Sequence, residues 1–497
     1  MKNLLLQFVV LLCTTALCVA NYEHEHTATY WNDQAQARLQ KQLLRRTNTG
    51  VAKNVILFLG DGMSIPTLTA ARTHLGQRNG NAGEETELSF EKFPYVGLSK
   101  TYCVDKQVAD SACSATAYLG GVKANKDTVG VTAAVKRGDC DAMNDVSNHV
   151  QSVAHYSQLK NKRTGIVTTT RVTHASPAGV YAHTAERDWE SDTDVTLAGK
   201  NPKTCLDSTV QLVHGETGKK LNVIFGGGRR KFLPMFETDE DGKMGNRLDN
   251  RNLINEWKQL KANTTHAYVS DRNSLLNIAD GTEYSLGLFD NGHMSYNLER
   301  DSNKQPSLEE MTIKAIELLS NGKEGFFLFV EGGLIDKAHH DNKARLALDE
   351  TIEFHKAIEA AVKMTNETDT LILVTADHAH TMTLNGNENR GHDVLGLGGL
   401  AVDLLQYTTL SYGTGPGYKP NKDGRRHDVS KDDLTSNDYG YPTIAPLLSA
   451  THGGDDVGIF ASGPWSHLIT SVVEQNLIAH VINFASCTGE RTTACEN

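Results

Sequence analysis

The sequence predicts an α/β fold: a large, mostly parallel central sheet with helices on both faces and an inserted crown-like subdomain. Three observations predict it. Short, near-continuously apolar runs recur along the chain, the pattern of strands buried on both faces. Helical patterns lie between those runs, and strands alternating with helices build parallel sheets. Towards the C-terminus a stretch rich in glycine, tyrosine and aspartate interrupts the alternation. The 497 residues suffice for two or three average domains or for one large α/β domain.

Near its start the chain has Lys2 and then an apolar run from Leu4 to Val19, closing on Cys18-Val19-Ala20. A positive start, a short apolar stretch and a small-x-small site predict a secretory signal peptide over residues 1–20, cleaved after Ala20. The formal net charge of −11 argues against non-specific nucleic-acid binding. Two of the 8 cysteines, Cys13 and Cys18, leave with the signal, and the even remainder suits disulfides in a secreted chain. Cys487 and Cys495 would clip the C-terminal tail, and Cys140 and Cys205 would close a longer loop. Sequence does not set the connectivity of Cys103 and Cys113. Sequons at Asn263 and Asn366 fit a glycosylated extracellular protein. The chain ends at Asn497 without the apolar tail that signals a lipid anchor, so the expectation is secretion, or a cell-surface form if an anchor signal lies beyond this sequence.

Between the signal and the first strand, Asn32 to Arg46 is polar and helix-prone with few core positions, which suits packing on a partner. Strands are predicted at Val55–Leu59, Gly165–Thr170, Leu221–Phe225, Phe326–Val330, Leu371–Thr375 and Val457–Ala461. Ser307-Leu308-Glu309-Glu310 is a capping box opening a helix through Leu319, which Asn321-Gly322 ends. A long amphipathic helix runs from about Lys343 to Met364. From about 385 to 450 glycine-rich segments mark the irregular insert.

Chemistry-bearing residues follow the strands. Val55–Leu59 leads to Asp61, Phe326–Val330 to Glu331, and Leu371–Thr375 to Asp377, His378 and His380. Open parallel sheets collect ligands at the carboxyl ends of their strands, so these residues converge. Asp336 and His340, at i and i+4, share a helical face, and carboxylate with imidazole suits zinc. His452 sits before Gly453-Gly454 and another strand. Asp110-Ser111 opens the small-residue run Ala112 to Ala117, read as a short helix with Ser111 at its positive end, where a serine serves as a cap. No histidine lies near Ser111 in sequence to act as its base. Arg187 offers a fork for phosphate oxygens.

Six motifs now stand in order: Gly60-Asp61-Gly62-Met63, Asp110-Ser111-Ala112, His174-Ala175-Ser176-Pro177-Ala178, Val330-Glu331-Gly332 with Ile335-Asp336, Thr375-Ala376-Asp377-His378, and Thr451-His452-Gly453. Together they resemble the alkaline phosphatases over nearly the whole mature chain. The resemblance implies a phosphomonoesterase of alkaline pH optimum that works through a phosphoserine, with two zinc ions and one magnesium. It implies Asp336, His340 and His452 on the first zinc, and Asp61, Asp377 and His378 on the second. Magnesium would take Asp61, Ser176 and Glu331. Ser111 would be the nucleophile, its base replaced by zinc, and Arg187 would hold the phosphate with help from backbone donors at the helix start.

The residues standing behind these ligands depart from either pattern of the family. Vertebrate members resemble this chain at His174 but carry histidine where it has Lys337. Bacterial members resemble it at Lys337 but carry aspartate where it has His174. The expectation is that His174 sits near the magnesium, Lys337 reaches the phosphate through water, and His380 orders a ligating carboxylate. Vertebrate members also bind calcium near the segment matching Phe289-Asp290. Asp290, the Phe289 carbonyl and Glu237 are the candidates, although Gln305 stands where an acid is expected. The family further implies a homodimer, with the 32–46 helix wrapping the partner and the 385–450 insert as crown.

Two other classes of protein share such a fold. A phosphodiesterase of this superfamily would use threonine as nucleophile and lack the third metal, and a sulfatase needs a modified residue in a motif absent here. A secreted non-catalytic binder of the same fold should have lost a metal ligand, and none is missing.

Overall fold

Strand β1 (Asn54–Gly60) shows how the sheet is made. Its side chains alternate between two separate apolar cores: Val55, Leu57 and Leu59 enter one, Ile56 and Phe58 the other. Its neighbours β7 (Phe326–Gly332) and β8 (Thr370–Thr375) do the same, with Phe327, Phe329, Leu371 and Leu373 on one face and Leu328, Val330, Ile372 and Val374 on the other. Burial on both faces is why these strands read as unbroken apolar runs. Each fully buried Leu, Ile or Phe contributes roughly 1.5–3 kcal/mol.

The computed structural model describes residues 23–421 and 424–496. The expected signal peptide lies outside the described residues. The chain divides into two units, Met1–Thr47 and Asn48–Asn497. In the first, a helix spans Ala28–Leu43, and none of its residues is buried. It starts and ends earlier than the expected 32–46 segment, because Thr27 accepts the Tyr30 N–H and caps the helix there.

The second unit carries a 10-stranded sheet. With β2 (Tyr95–Lys100), β3 (Arg163–Arg171), β4 (Val223–Gly227), β5 (His266–Val269), β6 (Tyr284–Leu288), β9 (Val457–Ser462) and β10 (Val472–Glu474), the order is β10-β2-β9-β8-β1-β7-β3-β4-β6-β5. Strand β9 pairs antiparallel with both β8 and β2, and every other pairing is parallel. The helices Ser111–Gly120 and Leu477–Ala485 cover one face, and Leu308–Leu319 and Ala344–Met364 the other. Ser307 and Glu310 form the expected capping box.

Four strands escaped sequence reading: β2, β5, β6 and β10. They lie toward the sheet's edges, and three of them (β2, β5, β10) are partly exposed along their length, so no continuous apolar run marks them. Between residues 385 and 450 the chain forms short strands. Leu397–Leu400 pairs with Gln406–Thr408, while Leu410–Gly415 joins Met382–Leu384 and Thr443–Pro446 in a three-stranded sheet.

The register of the central strands sets the site. Leu59 pairs with Glu331 on one side and with Thr375 on the other, and Glu331 pairs with Thr168 of β3. The carboxyl ends of β3, β7, β1 and β8 are therefore level, and Asp61 and Asp377 emerge just beyond them.

Candidate active site and metal centre

Three adjoining clusters fill this edge. Ligand atoms of Asp61, Asp377 and His378 lie within 4.8 Å of one another, as do those of Asp61, His174 and Glu331, and those of Asp336, His378, His380 and His452. Asp61 joins the first two groups and His378 the first and third.

Local geometry explains the convergence. Gly62 adopts φ +68 and a Cβ there would lie 2.6 Å from His380 Cδ2, so only glycine lets the loop after β1 turn beneath that ring. Its N–H donates to Asp377 Oδ1 at 2.9 Å, and so does the His378 N–H. Two-residue strands pair His452 with His380 and Gly453 with Ala379, which draws the segment before β9 across the site.

Three imidazoles, those of His340, His452 and His378, are aimed in the same way. His340 Nδ1 donates to the Ala450 carbonyl (2.7 Å), His452 Nδ1 to Ala109 (2.8 Å) and His378 Nδ1 to Ala379 (3.3 Å). Carbonyls accept, so these nitrogens carry the proton and Nε2 keeps its lone pair for the cluster. The Nε2 atoms of His340 and His452 stand 3.2 Å apart, and lie 3.3 and 3.6 Å from the two oxygens of Asp336. His380 Nε2 donates to Asp336 Oδ1 at 2.6 Å, and Lys337 Nζ is 3.5 Å from Oδ2. Burial opposes ionisation of Asp336, but the positive charge of His340 when protonated, with that of Lys337, outweighs it and holds the carboxyl well below the usual range.

The residues fit divalent cations. Both oxygens of Asp61, Asp377 Oδ2, Glu331 Oε1 and Ser176 Oγ are buried without a hydrogen-bond partner. Asp61 is 0% exposed, and burial with the Asp377, Asp336 and Glu331 carboxylates pushes its pKa well up. Glu331 is pushed up to about 7, chiefly by burial, although Thr168 and Thr170 hydroxyls donate to its Oε2. So many uncompensated buried acids are costly unless a cation sits among them.

Ser111 opens the helix Ser111–Gly120 but does not cap it. The cap is Asp110, whose carboxylate accepts the N–H groups of Ala112 (3.1 Å) and Cys113 (3.3 Å). The sequence reading of Ser111 as cap is corrected accordingly, and those two backbone donors are engaged by the protein itself. The carboxylate also accepts the Asp127 N–H and Arg187 Nη1, each at 3.0 Å. Burial would raise the pKa of Asp110, but Arg187 and these N–H groups bring it below the ordinary value. Arg187 Nη2 lies 3.2 Å from His174 Nε2. Burial, with Lys337 and Arg187 nearby, holds the His174 imidazole well below its usual pKa and therefore neutral.

Serine Oγ of residue 111 meets His378 Nε2 at 3.2 Å. An imidazole therefore does reach Ser111, from a part of the chain no local pattern connects to it. Sequence reading also missed Asp110, Thr168, Thr170 and His293. The ring of His293 stands edge-on to His174, with Nε2 at 2.6 Å from Arg171 Nη1. For Asp110 a signal existed: aspartate before a small-residue helix is a preferred cap.

The three calcium candidates are not brought into any such cluster among the described residues. Asp290 is engaged by Gln305 Nε2 (2.6 Å), the Gly292 N–H (3.1 Å) and the Lys243 ammonium (3.5 Å), and exposed Glu237 accepts from Asn252. Phe289 is buried, with its N–H on Gly226.

Fold and site together define a metal-binding hydrolase built on a mostly parallel sheet. The alkaline phosphatase family model matches residues 52–488, and the chain belongs to that family. It is 48% identical over 480 residues to the membrane-bound alkaline phosphatase of Bombyx mori, covering 95% of this chain and 87% of that protein. It is 46% identical over 501 residues to the tissue-nonspecific isozyme of Felis catus, covering 98% and 94%. The structure of Thermus thermophilus alkaline phosphatase matches with a TM-score of 0.63 at 20% identity, over 90% of this chain and 96% of that one. That of the Antarctic bacterium TAB5 matches at 0.60 and 23%, over 89% and 100%. At such identities these two speak for the fold.

Proposed function

We propose that the chain hydrolyses phosphate monoesters through a phosphoserine formed on Ser111, with two zinc ions and one magnesium. The observation that carries this reading is the grouping of Asp61, Asp377 and His378 beside the Ser111 hydroxyl. Asp336, His340 and His452 would hold the first zinc and Asp61, Asp377 and His378 the second, since mixed nitrogen and oxygen donors suit that metal. Asp61, Ser176 and Glu331 offer oxygen alone, which suits magnesium. Bound there, the zinc ions supply Lewis-acid activation of the attacking and departing oxygens.

The chain's own residues do the rest. Ser111 Oγ, losing its proton to solvent, forms the new bond to phosphorus as the bond to the ester oxygen breaks and that oxygen takes up a proton and leaves as the alcohol; water then attacks the phosphoserine, releasing phosphate and restoring the Ser111 hydroxyl. Arg187 has five N–H donors, of which Asp110 and His174 take two, leaving the remainder for equatorial phosphate oxygens. Its guanidinium is anchored before substrate arrives, so little reorganisation is spent on binding. Lys337 stands beside the site to reach phosphate through water, and His174 backs Arg187 on the magnesium side.

The test is hydrolysis of p-nitrophenyl phosphate at alkaline pH by purified protein, its loss on chelation and its return with zinc and magnesium. Absence of turnover with metals restored would favour a non-catalytic binder.

We also propose a homodimer acting outside the cell or at its surface. Supporting it, Trp31, Leu39 and Leu43 are exposed on the Ala28–Leu43 helix, and Val402, Leu404, Ile444 and Leu448 are exposed in the insert. No helix among the described residues is long and apolar enough to cross a membrane.

A further inference from the structure

Cys103 and Cys113 are joined by a disulfide, the pairing that sequence left open. The bridge closes a segment whose last two residues before Ser111 both reach into the site. Ala109 gives its carbonyl to His452 Nδ1 at 2.8 Å, and Asp110 gives Oδ2 to Arg187 Nη1 at 3.0 Å. Between Cys103 and Ala109 the chain is irregular and exposed from Val104 to Val108. Apart from the bridge it is tied down by the Val104 N–H on the Ala124 carbonyl (2.9 Å) and by Asp105, which accepts the Lys126 N–H (2.8 Å). A segment with so few ties opens at low cost.

The bridge itself is solidly placed. Both cysteines are 2% exposed and pack with Ala109 and Ala124 in a small apolar cluster. Cys113 lies in the first turn of the Ser111 helix, and its N–H donates to Asp110 Oδ1. The two sulfurs and Asp110 lie close enough to suggest a metal site. Sulfurs bonded to each other are not thiolates, however, and offer no such ligand.

We infer that the Cys103–Cys113 disulfide is a positioning clamp for catalysis. By fixing the Ala109 carbonyl it fixes the direction of His452 Nε2. By fixing the Asp110 carboxylate it fixes the Arg187 fork. The other two bridges serve different regions: Cys140–Cys205 packs with Trp189 and Met143, and Cys487–Cys495 closes the C-terminal segment. The inference rests on the phosphatase reading above, in which Arg187 holds phosphate and His452 holds zinc.

The experiment uses the metal-loaded full chain with Cys103→Ala/Cys113→Ala, beside Cys487→Ala/Cys495→Ala and Arg187→Ala. The clamp predicts that KM for p-nitrophenyl phosphate and Ki for inorganic phosphate rise together about tenfold, the equivalent of one charge-assisted hydrogen bond. Zinc transfer to a chromogenic chelator should accelerate several-fold, while the C-terminal pair leaves all three values unchanged. Unaltered KM, Ki and zinc transfer in a folded Cys103→Ala/Cys113→Ala variant overturn the clamp. If Arg187→Ala itself leaves phosphate Ki unchanged, the phosphatase reading fails instead. Should the variant not fold, partial reduction of the native protein with a phosphine reductant replaces it, with bridge opening counted by alkylation and mass spectrometry. Phosphate Ki must then climb with the open fraction, and a constant Ki rejects the clamp.

Discussion

Ser111 Oγ lies 3.2 Å from Nε2 of His378, a residue 267 positions further along the chain. His378 Nδ1 already faces a carbonyl, so Nε2 offers one lone pair, and it serves either the serine proton or a metal, not both. The proposed mechanism assigns it to zinc. Ser111→Ala is therefore expected to lower kcat by at least about a thousandfold and to abolish labelled phosphoprotein after acid quench. The melting temperature should stay near wild type. Label retained in the variant would point to another nucleophile.

Asp61 belongs to two of the ligand clusters, whereas His340 lies beside Asp336 and His452 at one end. Metal analysis by mass spectrometry should therefore separate two variants. Asp61→Asn is expected to lose magnesium together with part of the zinc, and His340→Ala to lose zinc with magnesium retained. Equal losses in both would mean that Asp61 does not bridge.

Glu350, on the helix Ala344–Met364, belongs to none of the ligand clusters. Burial, with Asp349 and Glu353 adding, pushes its pKa from 4.5 up to about 8 against the pull of the Asn297 N–H. The folded state thus keeps this proton where the unfolded chain has lost it, and stability falls as pH rises from 4.5 to about 8. Glu350→Gln keeps an acceptor for Asn297 and removes that loss. Its melting temperature, followed by calorimetry, should overtake that of wild type with rising pH, by a few degrees at about pH 9. A difference that does not grow with pH would show that Glu350 ionises normally.

The exposed apolar residues of the insert include Ile444 and Leu448. If the proposed dimer uses this face, wild type should give a dimer's mass by light scattering and Ile444→Asp with Leu448→Asp a monomer's, because two desolvated carboxylates cost far more than an interface of standard size tolerates. A mass unchanged by both substitutions would place the contact elsewhere.

Much of the sheet was legible because β1, β7 and β8 are buried on both sides, and such strands spell themselves out as apolar runs ending at Asp61, Glu331 and Asp377. The outer strands were not: in β2 and β10 exposed and half-buried residues mix, so their pairing depends on neighbours far away in sequence. Ligand-type residues were visible through motif order. Their aim was not, since it depends on carbonyls of Ala109, Ala450 and Ala379, and a carbonyl has no signature in sequence. Sequence does not separate Ser111 from Asp110 as the helix cap, because serine and aspartate both serve that role and stand side by side. Only the backbone geometry chooses Asp110.

The two-residue pairing of His452–Gly453 with Ala379–His380 bears on how the protein is made. His452 comes 391 residues after Asp61 in synthesis, and β9 must slot between β8 and β2 before its ring can face Asp336. A ribosome therefore finishes nine-tenths of the chain before the last imidazole of the site exists. Until then the acids at the strand ends face one another with one arm of their enclosure missing. On the proposed reading, in which His452 holds zinc, the first zinc site is complete only once this late pairing has formed, so uptake there would follow folding rather than guide it.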